Sequence, residues 1–108
     1  MTQFADFQRG LLPMLLLAEL HHGPGHGYSL SLRLAERGFD RVKGAHLYPV
    51  LARLESDGYC TPVWTEGDGG PGRKVYHLTT SGEERLAELR HSWKLLVPLT
   101  NKLIADDR

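Results

Sequence analysis

A mainly α domain with one small β-hairpin is the fold class that this chain of 108 residues predicts, on three observations. Apolar residues recur at helical intervals in three successive stretches up to residue 56. Two β-branched and aromatic segments, YCTPVWTE and RKVYHL, flank the all-turn stretch GDGGPG. Beyond Thr79, Leu86, Leu89, Trp93, Leu96 and Leu103 step along the chain by threes and fours, with Thr100 on the same seam.

The first helix is expected over residues 11–22, because Gly10 and Pro13 punctuate the run that Phe4, Phe7 and Leu11 begin and Leu15 to Leu20 continue. HHGPGHG, residues 21–27, is a turn by its Gly and Pro content. A second helix follows over 27–37, with Tyr28, Leu30, Leu34 and Ala35 inward and Gly38 as its stop. FDRVKG connects it to a third helix opened by Gly44, in which Leu47, Val50, Leu51 and Leu54 share one narrow sector. Its opposite side holds Ala45, His46, Pro49, Ala52, Arg53 and Ser56, with Tyr48 at the border, where a solvated helix usually carries Lys and Glu. Exposed alanines are good helix formers; short side chains also let a partner approach the backbone.

The hairpin is expected to have a six-residue glycine-rich loop, with Arg73 and Lys74 where the second strand begins. Thr80 with Glu83, or Ser81 with Glu84, offers a capping box for the last helix. Pro98 lies inside that helix, where an interior proline costs ~3 kcal/mol or forces a kink. Three helices, a hairpin and a long amphipathic helix make the layout of a winged helix-turn-helix plus a C-terminal dimerisation helix. Residues 1–79 form the first part and 80–108 the second. In this layout the third helix presents its exposed face to the major groove.

Thirteen basic and thirteen acidic side chains cancel, so any nucleic-acid site rests on local arrangement rather than on net charge. The single cysteine, Cys60, excludes an intramolecular disulfide, points to a reducing compartment and reads as a small buried residue on the first strand. LLPMLLLAEL, residues 11–20, is about half the ~20 apolar residues of a membrane span, so a cytoplasmic protein with no membrane partner is expected. His21, His22 and His26 lie among glycines that break helical ligand spacing, and no metal or other cofactor is expected. No Ser, Cys or carboxylate constellation supports catalysis.

The chain resembles the PadR family of bacterial transcriptional regulators in three ordered blocks: HGYSL, AHLYPVLARLESDGY and GGPGRKVYHLTTSGEERL. The short single-domain length resembles the small PadR subgroup. The resemblance implies a homodimer that binds palindromic double-stranded operator DNA, usually as a repressor, with the first and last helices at the dimer interface. Some relatives are similar to drug- or phenolic-responsive repressors, which implies a small aromatic effector. Ala45 and His46 replace the small hydroxylated or glycine residues that usually open the family's recognition helix.

Tyr48, Arg53 and His46 are the candidate DNA contacts on the third helix, since a phenol or imidazole reaches phosphate and Arg reaches phosphate or guanine. Lys43 reads as a phosphate clamp or as an ordinary loop lysine. Arg73 and Lys74 are candidates on the wing, with Glu66 and Asp68 opposing them near the tip. Tyr28 and Ser29 are further phosphate candidates, Tyr28 being the better fit to packing. Phe7, Leu11, Leu89, Trp93 and Leu96 are the candidate dimer interface. Trp93 has two readings: interface core, or a flat wall of an effector cavity. The rival to DNA binding is a winged helix used for protein contacts alone.

Overall fold

A computed structural model of the chain describes residues 3–67 and 70–105. The elements run α1 (Ala5–His22), α2 (Gly27–Glu36), α3 (Gly44–Ser56), β1 (Cys60–Gly67), β2 (Gly70–Leu78) and α4 (Thr80–Ile104). This is the expected helix, hairpin and helix order. Its core gathers Leu16 and Leu17 of α1, Leu30 and Leu34 of α2, Leu47 and Leu51 of α3, Cys60 and Tyr76 of the hairpin, and Leu86 of α4. Burial pushes the Cys60 thiol up to about 11, with the Glu55 charge adding to it, so it packs as a neutral small residue.

α1 begins at Ala5 rather than near residue 11, running through both Gly10 and Pro13. Contacts distant in sequence hold its start. The Asp40 carboxylate accepts from the N–H of Gln3 and Phe4, while the buried Gln8 side chain donates to Asp40 O at 2.6 Å and accepts from Asp40 N at 2.8 Å. At the other end of α1, Glu19 is buried and ion-paired with Arg37, which caps α2. The predicted stop Gly38 has φ +107°, a left-handed conformation open to glycine. Tyr28, expected inward, is exposed: it lies at the edge of the sector that Gly27, Leu30, Ser31 and Leu34 bury and faces the space between α3 and the hairpin.

β1 and β2 are antiparallel, pairing Cys60 with Leu78 and Thr65 with Arg73, and an irregularity between Thr65 and Gly67 shifts the register near the tip. The strands thus extend into the stretch expected as a six-residue loop, leaving only 68 and 69 between them. Asp68, read as part of the wing-tip charge, lies outside the described residues. Gly25 N–H donates to Tyr76 O at 3.2 Å and Tyr76 N–H to Gly25 O at 2.9 Å, which ties the wing to the α1–α2 turn.

Thr79, not Thr80 or Ser81, caps α4, its hydroxyl oxygen accepting from Gly82 N–H at 3.0 Å. The capping-box position therefore falls on Gly82. Glu83 instead meets His21 Nδ1 at 2.8 Å, setting an acidic side chain at the start of α4 against a histidine in the last turn of α1. α4 continues through Pro98 to Ile104 as one element. Only its beginning is covered. Leu86 is buried and Leu89 half-buried, but Trp93, Leu95, Leu96, Leu99, Leu103 and Ile104 are exposed, and the projecting helix gives the molecule extents of 63 × 34 × 20 Å.

Candidate nucleic-acid interface

Leu47, Leu51 and Leu54 anchor α3 to the core and leave Ala45, Pro49, Ala52, Arg53 and Ser56 exposed, as the periodicity predicts. Tyr48 stands at one edge of this strip. Its ring lies directly over Gly27, where an added Cβ would come within 2.5 Å of Tyr48 Cε1. The glycine of HGYSL and the tyrosine of AHLYP therefore form one contact. Gly27→Ala is expected to retain the fold, because the ring is half exposed and free to swing outward, but to lose the Tyr48 position. The check is an unchanged melting temperature beside weakened duplex binding; unchanged binding removes Tyr48 from the interface.

Between α3 and the wing lies a cleft of ≈ 660 Å³ lined by His26, Tyr28, Tyr48, Ala52, Trp64, Arg73, Lys74 and Tyr76. Four sequence candidates meet here: Tyr28, Tyr48, Arg73 and Lys74. Trp64 joins them unannounced by the sequence. It is 68 % exposed, and its pairing with Lys74 places it on the same hairpin face as Tyr76. Strand alternation would have identified it only once the register was known.

The two wing cations differ. Lys74 Nζ donates to Glu55 Oε1 at 2.9 Å and lies 5.5 Å from the Tyr76 ring centroid. The bond to Glu55 is the main reason its pKa is raised, so Lys74 joins wing to α3 with its charge already matched. Arg73 Nη1 lies 3.0 Å from His26 Nε2, and Arg73 forms no ion pair among the described residues. His26 caps α2, its Nδ1 3.3 Å from the Ser29 N–H. Burial, then the charges of Arg73 and Arg33, lower the His26 pKa, which favours the neutral ring. A neutral imidazole has one acceptor nitrogen, so it serves either Ser29 N–H or Arg73 at any moment.

The other candidates lie elsewhere. The Ser29 hydroxyl donates to His26 O at 2.9 Å, so it is engaged in the cap. Lys43 and His46 stand on the far side of α3, beside α1. Arg53, 3.9 Å from Asp57 Oδ2, borders a groove of ≈ 720 Å³ between α1, α3 and α4. Leu11, Leu89, Trp93 and Leu96 line that groove, whereas Phe7, 75 % exposed, lies off it. His21 meets Glu83, and His26 lies within reach of both Ser29 and Arg73.

A helix pair, an exposed small-residue helix face and a wing closing a cleft over it define a winged helix-turn-helix protein. Residues 16–88 match the model of the Transcriptional regulator PadR-like family. The chain belongs to this family, whose members are transcriptional regulators rather than enzymes. It is 34 % identical over 87 residues to the transcriptional regulator Rv3488 of Mycobacterium tuberculosis, covering 81 % of this chain and 79 % of that one. A PadR family transcriptional regulator from Eggerthella lenta superimposes with a TM-score of 0.86 at 34 % identity, covering 95 % of this chain and 89 % of the other. A PadR-like transcriptional regulator from Bacillus cereus gives 0.80 at 29 % identity, covering 94 % and 99 %. Among the described residues no helix is long and apolar enough to cross a membrane.

Proposed function

We propose that the protein is a homodimeric repressor that binds palindromic operator DNA through two copies of α3 and its wing. The cleft in which Tyr28, Tyr48, Trp64 and Arg73 surround the exposed edge of α3 carries this reading. α3 approaches base edges by its short side chains, Arg53 reaches a guanine or phosphate, and the tyrosines and Arg73 hold the backbone. α1 and α4 form the two-fold contact, with residues 80–108 as the dimerisation part and Trp93 central to it. A planar aromatic effector in the α1–α3–α4 groove would shift α4 against α3 and release the operator. The protein works in the cytoplasm.

Selection of bound sequences from random duplexes tests this. A palindrome with half-sites about one helical turn apart, or a multiple of it, is expected. No enrichment, with no salt-dependent affinity for any duplex, sinks the reading in favour of a protein-binding winged helix.

The wing cations are expected to separate in the same assay. Arg73→Ala should weaken all duplexes by similar factors and lower the slope of log affinity against log salt by ~0.9 per protomer. Lys74→Ala should move that slope far less, because Glu55 already neutralises Lys74. Equal slope changes for the two variants would show that the Glu55 pair opens on DNA.

A further inference from the structure

A second cleft, of ≈ 190 Å³, lies where the first turns of α1 meet the start of α3. Arg9, Arg41, Lys43 and His46 converge on it, and all four are exposed. Arg9 Nη2 stands 3.5 Å from His46 Nε2, so α1 and α3 meet side by side at the cleft. Among the described residues no carboxylate is ion-paired with Arg9, Arg41 or Lys43. Asp40 also lines the cleft, and its carboxylate is engaged by the N–H groups of Gln3 and Phe4, at 3.1 and 2.7 Å. One wall is rigid, because the buried Gln8 makes two hydrogen bonds with the Asp40 backbone.

The charge placement runs against what stabilises a helix. A helix start bears the positive end of the macrodipole and favours acidic side chains. Around the start of α3 stand Arg41 and Lys43, the first turn has no acidic residue, and Lys43 at the N-cap supplies no side-chain cap. Cations gathered there repel one another in the free protein and attract an anion seated among them. The cleft is also separate from the α4 side of α1: Leu11 and Met14 face the α4 groove, while Gln8 and Arg9 face the cleft.

We propose that this cleft is a phosphate-binding site, filled by a backbone phosphate of the duplex just outside the stretch that α3 faces, with Arg9 and Arg41 as its clamps. It rests on the DNA-binding reading above. His46 adjoins the exposed α3 strip at Ala45, so a strand leaving the groove passes the cleft mouth. Guanidinium groups suit the role because each offers two parallel N–H donors to phosphate oxygens. The contact extends the protein's footprint to α1, on the side of α3 opposite the wing.

The test uses the full-length protein, the double variant Arg9→Ala/Arg41→Ala and the corresponding double Lys variant, each titrated with the selected and a scrambled duplex over a range of salt. The Ala pair should weaken both duplexes by the same factor and lower the salt slope by ~0.9 per protomer, leaving the ratio between duplexes unchanged. The Lys pair should keep the slope, since charge alone sets it. An unchanged slope for the Ala pair, with the duplex still bound, overturns the site. If the parent binds no duplex, the DNA-binding reading has failed by itself, and inorganic pyrophosphate then probes the cleft through the ring NMR signals of His46. A saturable shift that the Ala pair abolishes supports a phosphate site served by a free phosphate; no shift overturns the proposal.

Discussion

Gly82→Ala should lower the melting temperature by ~5–15 °C at fixed protein concentration, against no loss for Ser81→Ala on the exposed neighbour. A Cβ at residue 82 would stand 2.0 Å from the Tyr59 carbonyl oxygen and 2.5 Å from Leu78 Cδ1. The first obstacle is backbone, held in place because Tyr59 O accepts from Thr79 N–H at 3.1 Å. No side-chain rotation relieves it. α4 must move off the hairpin, loosening the Thr79 cap and the cover over Leu86. Overpacking of this kind costs ~1–3 kcal/mol, and in a domain near this size each kcal/mol shifts the midpoint by ~4–8 °C. Helix propensity alone acts in the opposite direction, favouring Ala by ~1 kcal/mol. The sign of the measured change therefore decides: a more stable variant means that α4 does not sit on Tyr59 as described.

Trp93→Ala should dissociate the proposed dimer at concentrations where the parent remains paired. Trp93 is 41 % exposed in the single chain and Leu96 52 %, beside a groove that Leu11 and Leu89 also line. An apolar row of this length on one projecting helix needs a second surface. Removing a packed aromatic ring costs ~3–5 kcal/mol, and two-fold symmetry repeats the loss. Sedimentation of parent and variant over a concentration series reads the outcome. The effector role is read in a Trp64→Phe background, which leaves Trp93 as the sole tryptophan. A variant that stays dimeric, beside Trp93 fluorescence quenched by planar aromatic compounds, assigns Trp93 to an effector cavity. A variant that neither dissociates nor changes the response to such compounds dismisses both roles.

The repeating elements were legible because their cause is local periodicity. Leu47, Leu51 and Leu54 announce α3 by spacing alone, and the β-branched and aromatic runs around GDGGPG announce the hairpin. What sequence could not show depends on partners far along the chain. The early start of α1 rests on Asp40, more than thirty residues away from Gln8, so Gly10 and Pro13 looked like punctuation. Tyr28 lies at the border of the α2 sector that Leu30 and Leu34 bury, and only the placement of α3 and the wing shows which side it takes. Lys74 looked equivalent to Arg73 because nothing in RKVYHL shows that Glu55 waits opposite only one of them. Arg9 and Arg41 were invisible as a pair until α1 and the α2–α3 connection were set against each other.

His26 has one lone pair and two donors within reach, and this governs what a phosphate at the wing would cost. While Nε2 accepts from Arg73, the ring proton must occupy Nδ1, and Ser29 N–H goes without its cap. Drawing Arg73 away lets the proton pass to Nε2 and leaves Nδ1 free for Ser29. The protein then has as many internal hydrogen bonds as before, the first turn of α2 is better capped, and the imidazole has gained an outward N–H where the guanidinium has just departed. Arg73 is held in readiness by a bond whose loss is offset within the same ring, so the wing can exchange a histidine for a phosphate without first breaking anything that stays broken.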